Sequence, residues 1–418
     1  MTVLRPVLSD LGTAWMRTAL AVVGGMFATY ANLSFFMPFL VLYLQEIGLS
    51  PGESAIWAGY IGFIQGLAFA AGAPFWGMLG DRVGRKPMAV RGIALSALGT
   101  LLVPFANSAP VVFLIIMGRG LLAGPGSAAL ALVSSVTPRR RLAMVVGWID
   151  AAQVLGSVVG LAAGGLLAAA IGIRETFVVG GGFGLLGALL VLLFARERFL
   201  RPPALAGPTR LSPLRRMAGS FGRARSTVNP TVLFAFLLSG GFWMTNLGIN
   251  YIIPLRIQEM AAPERVPLFT GLAASIFAAT MFAGVLLASR LADRWGYRQV
   301  LFAGILGMVV LFLPQGFTGE LSLFMWTRAL QGFCAGLINP LGRTLIAFAS
   351  DPADRGTVYG ISGLFMGTGA AMGPLVFGSL FTPWLGVGPA IGLMAACLVP
   401  ALLLLLRRSE INVLAARG

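Results

Sequence analysis

Continuous apolar stretches of about 20 residues run from one end of this chain to the other, separated by short polar or charged segments. A stretch of that length crosses the roughly 30 Å hydrocarbon core of a bilayer as an α-helix. Unbroken apolar runs, rather than alternating ones, argue against a transmembrane β-barrel. The pattern therefore predicts an all-α membrane protein with twelve transmembrane helices. The predicted spans are 18–45, 54–76, 87–107, 110–135, 142–169, 175–195, 229–256, 266–289, 297–315, 320–348, 356–380 and 386–406.

The chain also contains a repeat at half its length. Spans 2 and 3 are joined by Gly77-Met-Leu-Gly-Asp81-Arg82-Val-Gly84-Arg85-Lys86, and spans 8 and 9 by Ser289-Arg-Leu-Ala-Asp293-Arg294-Trp-Gly296-Tyr-Arg298. A repeated charged loop in so apolar a chain predicts a duplicated membrane transporter, built as two six-helix bundles related by pseudo-two-fold symmetry. We predict an N-terminal bundle at 1–195, a cytoplasmic basic linker at 196–228 and a C-terminal bundle at 229–418.

The distribution of charge along the chain predicts its orientation in the membrane. Among 418 residues, 30 Lys and Arg stand against 14 Asp and Glu, giving a formal net charge of +16. Most basic residues lie on one side of the spans. The positive-inside rule then predicts a multi-pass protein of the cell (inner) membrane with both termini cytoplasmic. The same distribution argues against a nucleic-acid partner. Because the chain has no histidine, His-based metal sites and proton relays are excluded.

The segment from Gly77 to Lys86 resembles the signature that the major facilitator superfamily carries between spans 2 and 3. Arg119 resembles the arginine motif of span 4 in its twelve-span drug:proton antiporters, and Arg328 holds the matching place in span 10. Span 5 resembles the antiporter glycine motif, although Leu161 stands where that motif has proline. The predicted helix-packing residues are Gly156, Gly160, Gly164, Gly165, Gly373 and Pro374.

The resemblance implies a secondary transporter rather than an enzyme. Its expected function is proton-coupled export of amphipathic small molecules, as in multidrug efflux, by alternating access. The proton would be the coupling ion, and no cofactor is implied. We expect the chain to act as a monomer in the lipid bilayer. The alternatives left open are a transporter of a sugar, a siderophore or a lipid-like anion, coupling to sodium instead of protons, and a non-transporting membrane sensor.

Asp150 is the only acidic residue well inside a predicted span. A carboxylate at that depth is costly to insert, so such residues serve as proton carriers or as partners in a structural ion pair. Arg119 lies at a similar predicted depth. We predict that Asp150 carries the proton and that Arg119 tunes it, with a permanent ion pair between the two as the alternative.

Two further groups complete the predicted site. The repeated loops should act as a conformational latch at the cytoplasmic face, through Gly77, Asp81, Arg82, Gly84, Arg85, Lys86, Asp293 and Arg294. Polar and aromatic residues of the central helices should line a mainly apolar substrate cavity, although helix packing is the alternative for each one. The predicted cavity residues are Tyr30, Asn32, Gln65, Gln153, Trp243, Asn246, Asn250, Arg328, Gln331 and Asn339.

Overall fold

A computed structural model of the chain describes residues 13–197, 230–350 and 355–407. Within these ranges the chain is helical and has no β-strand. Twelve helices are long and apolar enough to cross a membrane, which confirms the predicted fold class and number of spans. They are α1 Ala14–Glu46, α2 Pro51–Val83, α3 Arg85–Phe105, α4 Ala109–Val136, α5 Arg139–Ile171, α6 Ile173–Phe194, α7 Pro230–Gln258, α8 Val266–Trp295, α9 Tyr297–Phe317, α10 Leu321–Ala349, α11 Val358–Leu385 and α12 Val387–Leu406.

The two repeated loops are shorter than the sequence suggests. α2 continues to Val83 and α3 begins at Arg85, so the turn between them reduces to Gly84 with φ +113°. α8 and α9 are likewise separated only by Gly296, with φ +93°. The charged residues before each glycine continue the helix, and the glycine ends it because it adopts a positive φ at low cost.

Four of the spans are interrupted. α12 passes through a 3₁₀ turn at Met394–Cys397, and each of the other three interruptions has a proline beside it. α1 passes through a 3₁₀ turn at Met37–Phe39, around Pro38. α4 consists of Ala109–Leu122 and Pro125–Val136, with Gly124 in the left-handed conformation between them. α11 becomes a π-helix over Pro374–Phe381. Proline removes a backbone donor and crowds the preceding turn, so helices in membrane proteins commonly break where it occurs.

The chain divides into two compact units. The N-terminal unit comprises the described residues of Met1–Leu49, Ile64–Ala204 and Glu264–Ser275. The C-terminal unit comprises the described residues of Ser50–Phe63, Leu205–Pro263 and Ile276–Gly418. A core of small and branched apolar side chains, among them Val22, Ile93 and Ile149, joins α1, α3 and α5 in the N-terminal unit. A smaller core around Phe236 and Ile346 joins α7 and α10 in the C-terminal unit.

Candidate functional site

The first repeated loop is held by a residue that lies beyond α6. The backbone N–H groups of Arg85 and Lys86 donate to the two carboxylate oxygens of Glu197, at 2.9 and 2.8 Å. These donors form the N-terminus of α3, where unpaired N–H groups and the helix dipole favour an anion. The segment that carries Glu197 is fixed in turn by Thr18, whose hydroxyl accepts from the N–H of Arg196 at 2.9 Å.

Sequence reasoning missed Glu197. The linker predicted at 196–228 includes residues 196 and 197, whereas the structure holds both of them on the N-terminal unit. The available signal was an acid directly after span 6 in an otherwise basic segment. In the same loop, Nη1 of Arg85 donates to the carbonyl of Ala131 in α4 at 3.1 Å. The predicted latch residue Asp81 lies outside the described side chains.

Replacing Glu197 with Ala should loosen this loop. The change removes the acceptor for two N–H groups at one helix N-terminus, a loss of about 1–3 kcal/mol. Hydrogen exchange at the amides of Arg85 and Lys86 should then accelerate by about five- to 150-fold. The matched control is Glu264→Ala, since Glu264 is also an acid but is exposed in a short turn. Unchanged exchange in the Glu197 variant would contradict the capping role.

In the second repeated loop the corresponding contact is made by a cation at a helix C-terminus, instead of by an anion at a helix N-terminus. Arg298, in the first turn of α9, donates through Nε and Nη2 to the carbonyls of Leu405 and Leu406 at 3.3 and 2.9 Å. Those carbonyls belong to the last turn of α12, where a cation is favoured. The predicted latch residues Asp293 and Arg294 lie in the last turn of α8.

The break in α4 lies one turn after Arg119. Its freed carbonyls are bound by two neighbouring helices: Trp76 donates to Leu121 at 2.7 Å, and Nη2 of Arg91 donates to Ala123 at 2.9 Å. The Arg91 guanidinium also stacks over the Trp76 ring, 3.4 Å from its centroid. Arg91 therefore stabilises an interrupted membrane helix by binding one of its freed carbonyls.

The predicted proton-coupling residues are both in the N-terminal unit, in different environments. Arg119 is 4% exposed, and its guanidinium lies 5.1 Å from the centroid of the Phe36 ring. Asp150 is exposed on α5 and lies within electrostatic range of the predicted cavity residue Tyr30. No ion pair joins Asp150 to Arg119 in the part of the chain that the structure describes. The structure therefore leaves the carboxylate accessible instead of locking it to Arg119.

The glycines of α5 pack the helix closely against its neighbours. A Cβ placed at Gly160 would lie 2.6 Å from the carbonyl oxygen of Ala31 in α1, and one at Gly165 would lie 2.9 Å from the Cα of Gly271 in α8. In the C-terminal unit, a Cβ at Gly373 would lie 2.9 Å from the backbone nitrogen of Gly248 in α7. Such contacts between backbones are possible only with small residues.

A cavity of about 450 Å³ opens within the C-terminal unit, between α7, α10 and α11. Its wall combines aromatic and apolar side chains with a few polar groups, and it includes the predicted residues Trp243 and Asn339. The hydroxyl of Tyr359 donates to the carbonyl of Arg343 at 3.0 Å, which joins α11 to α10 at this wall. The lining residues are Ala235, Leu238, Ser239, Phe242, Trp243, Ile338, Asn339, Gly342, Arg343, Ile346, Tyr359, Ser362, Gly363 and Met366.

The other predicted cavity residues are distributed over both units. Arg328 and Gln331 form a buried pair on α10, in which Nη1 of Arg328 donates to Oε1 of Gln331 at 2.7 Å. Asn250 donates to the carbonyl of Asn246 on α7 at 3.0 Å. Asn32 is fully buried in α1. The remaining two, Gln65 and Gln153, lie in the N-terminal unit. Gln65 has a buried side-chain oxygen, and the Gln153 carbonyl accepts from Ser157.

Comparison with known proteins shows similarity over nearly the whole chain. The family model of the Major Facilitator Superfamily matches residues 22–264 and 265–417. Multidrug resistance protein MdtG of Citrobacter koseri is 29% identical over 371 residues, which cover 88% of this chain and 89% of that protein. The uncharacterized MFS-type transporter YuxJ of Bacillus subtilis is 29% identical over 356 residues, covering 84% of this chain and 88% of that protein.

Solved structures show the same architecture at much lower identity. The nucleoside transporter NupG superposes with a TM-score of 0.74 at 15% identity, covering 93% of this chain and 98% of that one. A bacterial homologue of the human lysosomal transporter Spinster, in an inward-facing and unoccupied conformation, superposes with a TM-score of 0.68 at 18% identity. That superposition covers 97% of this chain and 98% of the homologue. At these identities the likeness concerns the fold alone.

Proposed function

Because this chain belongs to the Major Facilitator Superfamily, a family of multi-pass membrane transporters rather than enzymes, we propose that it exports amphipathic small molecules in exchange for protons. The observation that carries the proposal is the similarity to multidrug resistance protein MdtG along 88% of the chain. Export of this kind would proceed by alternating access, in which the substrate site faces each side of the membrane in turn.

The C-terminal cavity supports an amphipathic substrate. Its volume of about 450 Å³ falls within the range of small-molecule sites. Trp243 and Phe242 offer flat apolar surfaces, while Ser239, Asn339 and Ser362 offer a few hydrogen bonds. Broad apolar contact with sparse polar contact suits ligands of varied shape, because little of the recognition depends on one arrangement of donors.

Asp150 supports proton coupling. It lies about eleven residues, or roughly 16 Å, along α5 from its first residue Arg139. At such a depth a charged carboxylate without water or a cationic partner is energetically unfavourable. Protonation of Asp150 is therefore linked to its access to water or to a cation. Its side chain is exposed on α5 and forms no ion pair with Arg119 among the described residues. The proposal includes a monomer in the cell membrane with cytoplasmic termini, in keeping with the distribution of arginine.

The function is tested in proteoliposomes that contain the purified full chain. An imposed pH gradient should drive a neutral or weakly charged amphipathic dye across the membrane, and a protonophore should abolish that movement. Liposomes without protein give the background permeation. Dye movement that equals this background with the gradient in place would reject proton-coupled export. A sodium gradient in the same liposomes separates sodium coupling from proton coupling.

A transporter for an organic anion is the second candidate. The buried Arg328 is the specific observation that favours it, because a guanidinium in a membrane span needs an acceptor.

A further inference from the structure

We infer that Arg328 and Gln331 form the recognition site for an anionic headgroup, such as a carboxylate or sulfonate, on the amphipathic substrate. The inference rests on the proposed function, since it names the class of molecule that the exporter would carry. It follows from the hydrogen bonding, the charge balance and the position of this pair within the C-terminal unit.

The pair has donors that nothing in the described chain satisfies. Arg328 is 1% exposed, and only its Nη1 is used, on Oε1 of Gln331. The Nε and Nη2 donors of Arg328, and Nε2 of Gln331, have no hydrogen-bond partner among the described residues. The Gln331 amide thus accepts from the guanidinium through its oxygen and keeps its nitrogen as an available donor. Buried donors almost always have partners, so this group is built for an acceptor.

The surrounding helices fix the guanidinium without supplying that acceptor. Its carbon lies 4.3 Å from the centroid of the Phe277 ring in α8, which stabilises the positive charge but accepts no in-plane hydrogen bond. Close packing also holds α8 and α10 together near this ring. A Cβ at Gly336 in α10 would lie 2.8 Å from the Cα of Gly284 in α8. The cation is therefore preorganised, and its recognition geometry needs little rearrangement when a ligand arrives.

The charge balance of the unit favours an anion. Its acidic side chains within the described ranges are Glu53, Glu259, Asp293 and Glu320, all at or near helix ends. Glu259 already pairs with Arg256. The cavity wall itself contains one charged residue, Arg343, and no acid. A cationic headgroup would meet only like charge there, whereas an anionic headgroup would meet a buried guanidinium in a low-dielectric site.

Arg328 also continues the face of α10 that lines the cavity. Asn339 follows it by eleven residues, which is about three turns and about 16 Å along the helix. Both side chains therefore lie on the same face. An amphiphile with its apolar body against Trp243 and Phe242 could extend its headgroup along that face. Access to the buried pair would open as the helices move during the transport cycle.

The test uses a dansyl-labelled undecanoate and its methyl ester, which share the same apolar body and differ only in the headgroup, a carboxylate in one and a neutral ester in the other. Both are titrated against the purified full chain by fluorescence. The wild-type protein should bind the carboxylate about ten- to a hundredfold more tightly than the ester, the range for hydrogen bonds between charged groups. Arg328→Gln should bind both probes with the affinity of the ester. Gln331→Ala should reduce the preference, and the exposed control Arg265→Gln should keep it.

Retained ester binding shows that the Arg328→Gln protein is folded. If that variant does not fold, Arg328→Lys serves instead, because it keeps the charge without the planar fork and should show a reduced preference. Equal wild-type binding of carboxylate and ester, no wild-type binding of the carboxylate, or an unchanged preference in the Arg328 variant would each overturn the inference. Gradient-driven movement of the ester is measured separately, so failure of proton-coupled export can be told apart from failure of anion recognition.

Discussion

Substitution of Asp150 by Asn should remove the coupling between the pH gradient and substrate movement. The amide has nearly the same size and polarity as the carboxyl group but cannot gain or lose a proton in this pH range. Gradient-driven export in proteoliposomes should therefore fall at least about tenfold, to the level seen without a gradient. Substrate binding should change much less, because Asp150 lies in the N-terminal unit and the C-terminal cavity has its own lining.

The control for Asp150→Asn is Glu264→Gln. It makes the same change from acid to amide at an exposed turn outside the helices and should leave transport intact. A second measurement follows protons directly. Addition of substrate to the detergent-solubilised wild-type protein should release protons to a pH dye, and the Asp150 variant should release none. Full gradient-driven export by the Asp150 variant would show that another group carries the proton.

The sequence predicts the spans well because burial in lipid imposes a simple pattern. Span 5, predicted at 142–169, is observed as the helix Arg139–Ile171. The observed helices differ from the predicted spans where the backbone geometry changes within a span. The apolar pattern predicts neither the break in α4 at Ala123 and Gly124 nor the π-helix at Pro374–Phe381. Composition fixes that a segment crosses the membrane, whereas neighbouring helices decide where its hydrogen bonding changes.

The candidate site, like the fold, could be predicted from the sequence only in part. Arg328 and Gln331 are three residues apart on a predicted helix, so their contact could be anticipated from spacing. Their unused donors could not, because that depends on which side chains α8 brings near them. Glu197 shows the limit from the other direction. Its place after span 6 reads as linker, yet it caps a helix 112 residues earlier in the chain.

The repeat becomes clearer in three dimensions than in sequence. In the N-terminal unit an acid after α6 binds the start of α3, and in the C-terminal unit an arginine at the start of α9 binds the end of α12. Both contacts join the same pair of helix ends, but the charged side chain comes from opposite partners. Each sign of charge suits the helix terminus that it meets. The two halves thus join equivalent helix ends through unrelated residues. Sequence comparison of the halves therefore does not detect this shared contact.

Substitution of Gly160 by Ala should destabilise the protein, although the change adds only one methyl group. The new Cβ would lie 2.6 Å from the carbonyl oxygen of Ala31, and a backbone atom cannot move aside as a side chain can. α1 and α5 must then separate. Overpacking of this kind costs about 1–3 kcal/mol. Thermal unfolding of the purified protein in detergent should show a lower midpoint for Gly160→Ala, and Gly160→Leu should yield little folded protein.

Gly147 provides a matched comparison on the same helix. It is exposed, and a Cβ placed there would have no neighbour within 4 Å. Gly147→Ala should therefore leave the unfolding midpoint unchanged or raise it, since alanine favours a helix over glycine by about 0.5–1 kcal/mol. Opposite signs for the same substitution at two positions of α5 would show that packing against α1, and not helix propensity, requires glycine at 160. A loss of similar size at both positions would instead attribute the effect to α5 alone and remove the argument for close α1–α5 contact.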